Sequence, residues 1–339
     1  MFGRIVKKTA NSTLIFSEGK TVKLNFASRH DLGDIIDEND TLLTKCQNRD
    51  KLQSLKNERD YYIQKFEIIK RIKEFFFKES FTEVITPKLK KERISETNIN
   101  LLDTKAGILA PSPEVELKKL LTLGVEKIFE LNFAYRDDFE DNLHKKEFLM
   151  LEWYRALAEP EDIIFDFSSM VKYLNGSDIL KYKGFEIDLN KVSYISYKDA
   201  FLYHCNINIE KTESSKLKES FSIEGTDDKL EILDAIFSLK IEKELGKDCI
   251  EVIYDFPKER AALSKIKNGY AKRYEIYIAG IELGNCYLEE NNFEEIKRRF
   301  GFQDREFMEY MAFGMPPASG IAVGIDRLIM ILLNKDKIC

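Results

Sequence analysis

The stretch YRDDFEDNLHKKEFLMLEWY, Tyr135 to Tyr154, sets an arginine, a run of acids, a histidine, a phenylalanine and a Trp-Tyr pair together. The flanking runs IFELNFAYRD and EFLMLEWYRAL are rich in aliphatic and aromatic residues, which predicts two strands joined by a polar loop. Arg136 ends the first run and Phe148 opens the second, with Asp137, Asp138, His144 and Glu147 between them. A guanidinium offers a planar fork of donors suited to phosphate. An aromatic face can stack on a purine, and an acid can accept from its exocyclic amine. An acidic, solvent-exposed turn with a salt-bridged arginine has the same composition, so this stretch alone leaves both readings open.

Three further segments carry similar ambiguity. In SGIAVGIDRLIMIL (Ser319 to Leu332) small residues allow close backbone approach, and Asp326 and Arg327 follow at a strand-to-helix junction. That arginine can reach a triphosphate or pair locally. RYEIYIAGIELGNCYLEE (Arg273 to Glu290) spaces Glu275, Glu282 and Glu289 by seven residues. Carboxylates suit Mg²⁺ bridged to phosphates, yet exposed acids on strand edges are common. An odd spacing in one straight strand would send successive acids to opposite faces. A hairpin at Ala279–Gly280 and an irregularity near Gly284 are therefore expected if they converge. In SPE (Ser112 to Glu114), serine is expected as a helix cap and proline in the first turn. Glu114 would then complement the helix dipole.

The rest of the chain supplies a frame. Residues 1–50 read as a small β unit, with a hairpin over Thr13 to Phe26 and another strand after the Asn39-Asp40 turn. Apolar positions at helical spacing predict a helix from Lys51 to Glu79. FTEVITP (Phe81 to Pro87) reads as a short strand, and residues 160–245 as mostly helical. Strands (IEVIYDF, RYEIYIAG, IELGNCYLE) and helices (NFEEIKRRFGF, DRLIMILLNK) close the chain. Strands grouped between helices, without βαβ alternation, favour an α+β fold with an antiparallel sheet. The expected domains are 1–50, the β unit, and 51–339, the larger α+β domain.

Composition bounds the function. The 339 residues are 44% hydrophobic and 33% charged, and no run of apolar residues is long enough to cross a membrane. MFGRIVKKTANS lacks an apolar signal core, which points to a cytoplasmic protein. Five scattered cysteines form no C-x-x-C pair and read as reduced thiols. Three histidines leave little material for histidine-based metal sites. A net charge of −6 gives no global basic field to recruit nucleic acid.

In this order the segments resemble the class II aminoacyl-tRNA synthetases: FTEVITP is similar to motif 1, YRDD…H…EF…LEWY to motif 2 and GIAVGIDRL to motif 3. SPEVELKKLL, FPKERAAL and FGMPPASGIAVGIDRL narrow the resemblance to the lysyl-tRNA synthetase branch and its shortened paralogues, the elongation factor P β-lysyltransferases. It covers roughly residues 60–339. The resemblance implies Arg136 on the ATP α-phosphate and Arg327 on the γ-phosphate. It implies Phe148 stacked on adenine, Asp138 accepting from the adenine amine and His144 near the phosphates. Glu275 and Glu282 would hold Mg²⁺. Glu114 would face one amino group of a lysine substrate, Glu289 with Tyr154 the other, and Asn285 the carboxylate. Pro87 belongs to the motif that forms a homodimer in the family.

The family usually has glutamate where Asp138 stands, proline where Lys146 stands, and glycine where Cys286 stands. Lysyl-tRNA synthetases usually have glycine at Ala322, whereas the β-lysyltransferases have alanine. One methyl beside the substrate's α-carbon favours an isomer with its amino group on the β-carbon. The implied reaction is ATP-dependent transfer of (R)-β-lysine to a lysine of elongation factor P. A minimal lysyl-tRNA synthetase charging tRNA with α-lysine is the alternative, and a non-catalytic binding paralogue a third.

Overall fold

The computed structural model describes residues 1–91, 99–301 and 304–338. The chain divides into two compact units, residues 1–70 and 71–339, and the division falls inside one long helix. In the first unit β1 (Phe2–Lys8), β2 (Thr13–Ser17), β3 (Lys20–Leu24), β4 (Ile35–Asp37) and β5 (Leu42–Thr44) form a sheet ordered β3-β2-β1-β4-β5. Strand alternation buries Ile5, Ile15 and Ile36 together, with Val22, Leu24 and Phe26 packed against them. The part of α1 (Leu52–Lys78) up to Lys70 belongs here, and its Arg59 lies 3.6 Å over the Phe16 ring.

The second unit is built on one large sheet. After α1 come β6 (Thr82–Glu83), then a small sheet of β7 (Leu89–Lys90), β8 (Leu102–Thr104) and β9 (Gly107–Leu109). Helix α2 (Glu114–Thr122) leads into β10 (Lys127–Tyr135), β11 (Glu147–Ala156) and α3 (Pro160–Asn175). Next are β12 (Ile179–Tyr182), β13 (Phe185–Ser196), α4 (Tyr197–Cys205), α5 (Ser214–Phe221), α6 (Lys229–Ile236) and β14 (Cys249–Pro257). The chain finishes with β15 (Ile266–Lys267), β16 (Tyr270–Ile278), β17 (Ile281–Leu288), α7 (Phe293–Phe300), α8 (Arg305–Ala312), β18 (Ala318–Gly324) and α9 (Ile325–Leu332). The sheet order is β12-β13-β14-β16-β17-β18-β11-β10-β6, with β15 attached to β16. All its pairings are antiparallel except β13–β14 and β6–β10.

Several expectations need correction. Residues 160–245 are mostly helical, as expected, but β12 and β13 interrupt them with a hairpin at Lys183–Gly184, both with positive φ. The glycine turn there breaks a stretch whose flanks are strongly helical. At the start of α2, Pro113 takes the cap position, and the Ser112 hydroxyl accepts from the Glu114 N–H at 2.9 Å from one residue further back. α8 carries no expectation from the sequence. The helix expected over NFEEIKRRFGF ends at Phe300, and Phe302 lies outside the described residues. Cys46, Cys205, Cys249 and Cys286 are free thiols, and Cys339 lies outside the described residues.

The two faces of the sheet differ in chemistry. On one face Trp153 and Phe129 pack against Phe76, with ring centroids at 5.1 and 4.7 Å. α3 lies on β17 and β18, and α9 on β11. The other face carries polar side chains. Pairing sets Tyr154 of β11 opposite Gly320 of β18, and Glu152 opposite Ala322. The Tyr154 ring lies directly against Gly320: a Cβ there would meet Cδ1 at 2.2 Å and Cε1 at 2.3 Å. Gly320→Ala is expected to cost about 1–3 kcal/mol through overpacking, measured by denaturant unfolding. Gly324→Ala, whose Cβ would find nothing nearer than Arg327 Cδ at 3.8 Å, is expected to stay within about 0.5 kcal/mol.

Candidate active site

Every candidate residue named from the sequence borders one cavity of about 500 Å³ over the polar face of the large sheet. Side-chain parity explains much of that gathering. Across β16 and β17, Glu275 pairs with Asn285 and Ile276 with Gly284, but Tyr277 pairs with Glu282. The register therefore slips by one residue at Leu283. A regular ladder would have set Glu282 opposite Ile278 and turned it to the apolar face. The slip instead brings Glu275, Glu282, Asn285 and Glu289 to one side. The intervening turn, Ala279–Gly280, has positive φ at both residues, as a two-residue hairpin needs.

At the phosphate-sized end, Arg327 projects from the first turn of α9. Its Nε donates to the Leu143 carbonyl at 3.1 Å and NH1 to the Glu282 carbonyl at 2.8 Å. NH2 lies 2.7 Å from His144 Nε2. A guanidinium can only donate, so Nε2 must accept, and the ring proton belongs on Nδ1. That nitrogen faces Asp141 Oδ1 at 2.9 Å. Hydrogen bonds from the Leu143 and His144 amides hold the Asp141 carboxyl below its usual range. Arg136 reaches the Pro111 carbonyl at 3.3 Å, and its guanidinium stands 5.5 Å from the Phe148 ring. Asp138 accepts from the Asn100 side-chain amide at 3.0 Å.

Glu275 is deeply placed. One of its oxygens accepts from Arg273 at 2.5 Å and the other from the Tyr277 hydroxyl at 2.7 Å. Burial pushes its pKa up, against the opposing pull of Arg273. Glu282 is more open, with its carboxylate 3.8 Å from Arg327. Among the described residues no cluster of three or more metal-ligating side chains exists. Two hard oxygen donors on the wall of this cavity fit an Mg²⁺ ion that would complete its shell from ligand oxygens and water.

The opposite end is a pocket of acids. Glu114, at the first position of α2, and Glu289, after β17, both pair with Lys118, at 2.6 Å each. The Tyr154 hydroxyl lies 3.3 Å from Glu152, whose carboxyl is 1% exposed. Burial, then the charge of Glu114, pushes Glu152 well above the usual carboxylate range. Burial and Glu152 likewise raise the Tyr154 phenol. The side-chain oxygen of Asn285 is buried with no hydrogen-bond partner among the described residues, an acceptor with unmet capacity.

Sequence reasoning missed Glu152, Lys118, Arg273 and Glu242 as parts of this region. Glu152 was readable: it stands two residues before Tyr154, so a strand puts both on one face. Arg273 was readable in the same way from Glu275. Glu242 comes from the irregular helical turn after α6, where burial raises its pKa, and had no local signal. Lys118 follows Glu114 by four residues, so its pairing with that acid was readable, but its second partner, Glu289, was not.

A family model described as tRNA synthetases class II (D, K and N) matches residues 47–339. Curated relatives include an "Elongation factor P--(R)-beta-lysine ligase" of Buchnera aphidicola subsp. Baizongia pistaciae, 32% identical over 298 residues, covering 79% of this chain and 89% of the relative. The protein of that name from Buchnera aphidicola subsp. Acyrthosiphon pisum (strain APS) is 30% identical over 310 residues, 81% of this chain and 92% of its own. That from Haemophilus influenzae (strain ATCC 51907 / DSM 11121 / KW20 / Rd) is 28% identical over 309 residues, 82% and 92% of the two chains. With its sheet, its motifs and a family match over most of its length, the chain belongs to the class II tRNA synthetases (D, K and N).

Proposed function

We propose that this chain activates (R)-β-lysine with ATP and transfers it to a lysine side chain of elongation factor P. One observation carries the reading: Arg136, Arg327, Glu275 and Glu282 border the same cavity as the acid pocket of Glu114, Glu152 and Glu289. Phosphate chemistry and a binding place for amino groups thus share one chamber. The names and coverage of the curated relatives support the choice of substrate and acceptor.

In the first step a carboxylate oxygen of β-lysine attacks the α-phosphorus of ATP, pyrophosphate leaves, and a β-lysyl adenylate forms. Such a step depends on alignment and on stabilising the charge of the transferring group. Arg136 takes the α-phosphate and Phe148 the adenine ring, with Asp138 at its amine. Arg327 takes the γ-phosphate with His144 beside it. Mg²⁺ held by Glu275 and Glu282 would neutralise phosphate charge when bound. Glu114 and Glu289, with Tyr154, receive the two amino groups, and Asn285 the carboxylate. In the second step the ε-amine of the acceptor lysine attacks the acyl carbon. AMP leaves, and an amide with one released proton remains.

Ala322 supports the β-isomer. It pairs with Asn285 on one side and Glu152 on the other, so its methyl stands between the carboxylate and amine positions. Residues 1–50 are read as a small β unit, a remnant barrel, a docking surface or a stabilising cap, beside a class II synthetase-like catalytic domain over 51–339. A homodimer through the Pro87 segment follows from the family motif. The neighbouring Ile85, an apolar side chain 83% exposed, accords with it.

Arg327→Ala is expected to lower β-lysine-dependent ATP–pyrophosphate exchange by two to three orders of magnitude, about 3–4 kcal/mol; near-normal exchange would remove the phosphate role. Ala322→Gly is expected to shift the β-lysine to α-lysine preference roughly tenfold towards α-lysine, read as a ratio of kcat/KM values. The whole reading is tested by weighing products after incubation with ATP, either lysine isomer, and elongation factor P or tRNA. A mass gain of one β-lysyl group on elongation factor P is expected. Lysyl-tRNA with unmodified elongation factor P would overturn it.

A further inference from the structure

Lys118 is the most unusual charge in the molecule. It stands one helical turn after Glu114 on α2 and is 1% exposed. Its Nζ lies 2.6 Å from Glu114 Oε1 and 2.6 Å from Glu289 Oε2. Both acids border the cavity, whereas Lys118 does not. The ammonium therefore acts from behind the wall, on the two carboxylates assigned above to the substrate's amino groups. Burial would lower a lysine's pKa, but Glu114 and Glu289 more than reverse that, so the charge is permanent.

The surrounding charges come from three elements. Glu114 and Lys118 lie on α2, Glu152 and Tyr154 on β11, and Tyr287 and Glu289 on or just after β17. Glu130 and Lys88 stand beyond Glu152. Glu114 and Glu289 share the Lys118 ammonium, while burial favours the neutral form of Glu152 nearby. A diamino acid brings two ammonium groups. Glu114 and Glu289 both border the cavity, so an ammonium group entering it meets the same two carboxylates that Lys118 holds from behind.

We propose that Lys118 is a positioning residue that sets selectivity for a diamino acid, by fixing Glu114 and Glu289 relative to one another and supplying the single positive charge their shared burial requires. The inference deepens the function proposed above and rests on it. Without Lys118, buried acids on three elements lose their internal counter-ion and retain protons at neutral pH. Each ammonium of the ligand must then displace a proton. The affinity deficit is therefore greatest at low pH and shrinks as pH rises, because deprotonation of the acids is what binding requires.

The test compares full-length wild type, Lys118→Met and Lys118→Arg by calorimetric titration with β-lysine and by ATP–pyrophosphate exchange, from about pH 6 to 9. Lys118→Met is expected to weaken β-lysine binding and raise its KM roughly thirtyfold or more near neutral pH. The KM for ATP should move less than about threefold, and the β-lysine deficit should narrow with rising pH. Preference for β-lysine over a chain-matched amino acid lacking the terminal amine should fall. A loss confined to kcat, or one independent of pH, overturns the inference. If Lys118→Met does not fold, Lys118→Arg keeps the charge and moves the donors; an unchanged selectivity ratio then overturns positioning. Wild type that binds β-lysine without exchange sinks the proposed reaction and leaves the Lys118 comparison readable by titration. Wild type that binds no diamino acid overturns both.

Discussion

The single slip in register between β16 and β17 is the constraint on which the site depends. A strand is a two-sided object, and parity alone decides which side a residue serves. Glu275 and Glu282 are separated by an odd number of residues and a turn, and Glu282 and Asn285 by an odd number within one strand. Only an inserted residue can reconcile them. Leu283 is that residue, and it costs one irregular step in an otherwise continuous ladder. Without it, in the register that pairs Glu275 with Asn285, the carboxylate of Glu282 would turn to the face away from the cavity.

Given that slip, the remaining strands fall into place around it. β18 lies between β17 and β11, so Asn285, Ala322 and Glu152 form a row across three strands. Gly320 stands in the next row, where the ring of Tyr154 lies against bare backbone. The sheet thus works as a floor with rows of matched residues. α2 closes one end through Glu114, and the loop before β11 covers the other through His144. The two faces divide the labour. The acids, arginines and Asn285 gather on one, between the apolar clusters that pack α2 and α8 at Tyr154 and α4 and α6 at Tyr277.

Much of this was legible in the sequence because its signals were local. The hairpin at Ala279–Gly280 follows from turn chemistry, and the irregularity near Gly284 from the spacing of three glutamates. The helix from Lys51 to Glu79 matches α1 nearly end to end, since its periodicity is long and unbroken. The β12–β13 hairpin was lost because four residues on one side of a glycine turn carry too little alternation beside strong helical flanks. Ser112 and Pro113 show a finer limit: the residue types were right and the cap position was off by one. Lys118 marks the deepest limit. Helical spacing pairs it with Glu114 and Lys119 with Glu116, but only tertiary packing gives Lys118 a second acid from β17's end.

The hydrogen bonds of Arg327 have a consequence for the cost of ligand capture. Three of its donor groups are already engaged, by Leu143, Glu282 and His144. A long side chain that is free in solution surrenders about 2 kcal/mol of rotamer entropy when it is fixed. Here that loss was incurred when the chain folded, so the phosphate proposed for Arg327 would meet a guanidinium already held in place. The same three bonds tie a loop, a helix and a strand to one group, so any movement of the arginine is felt in all of them at once.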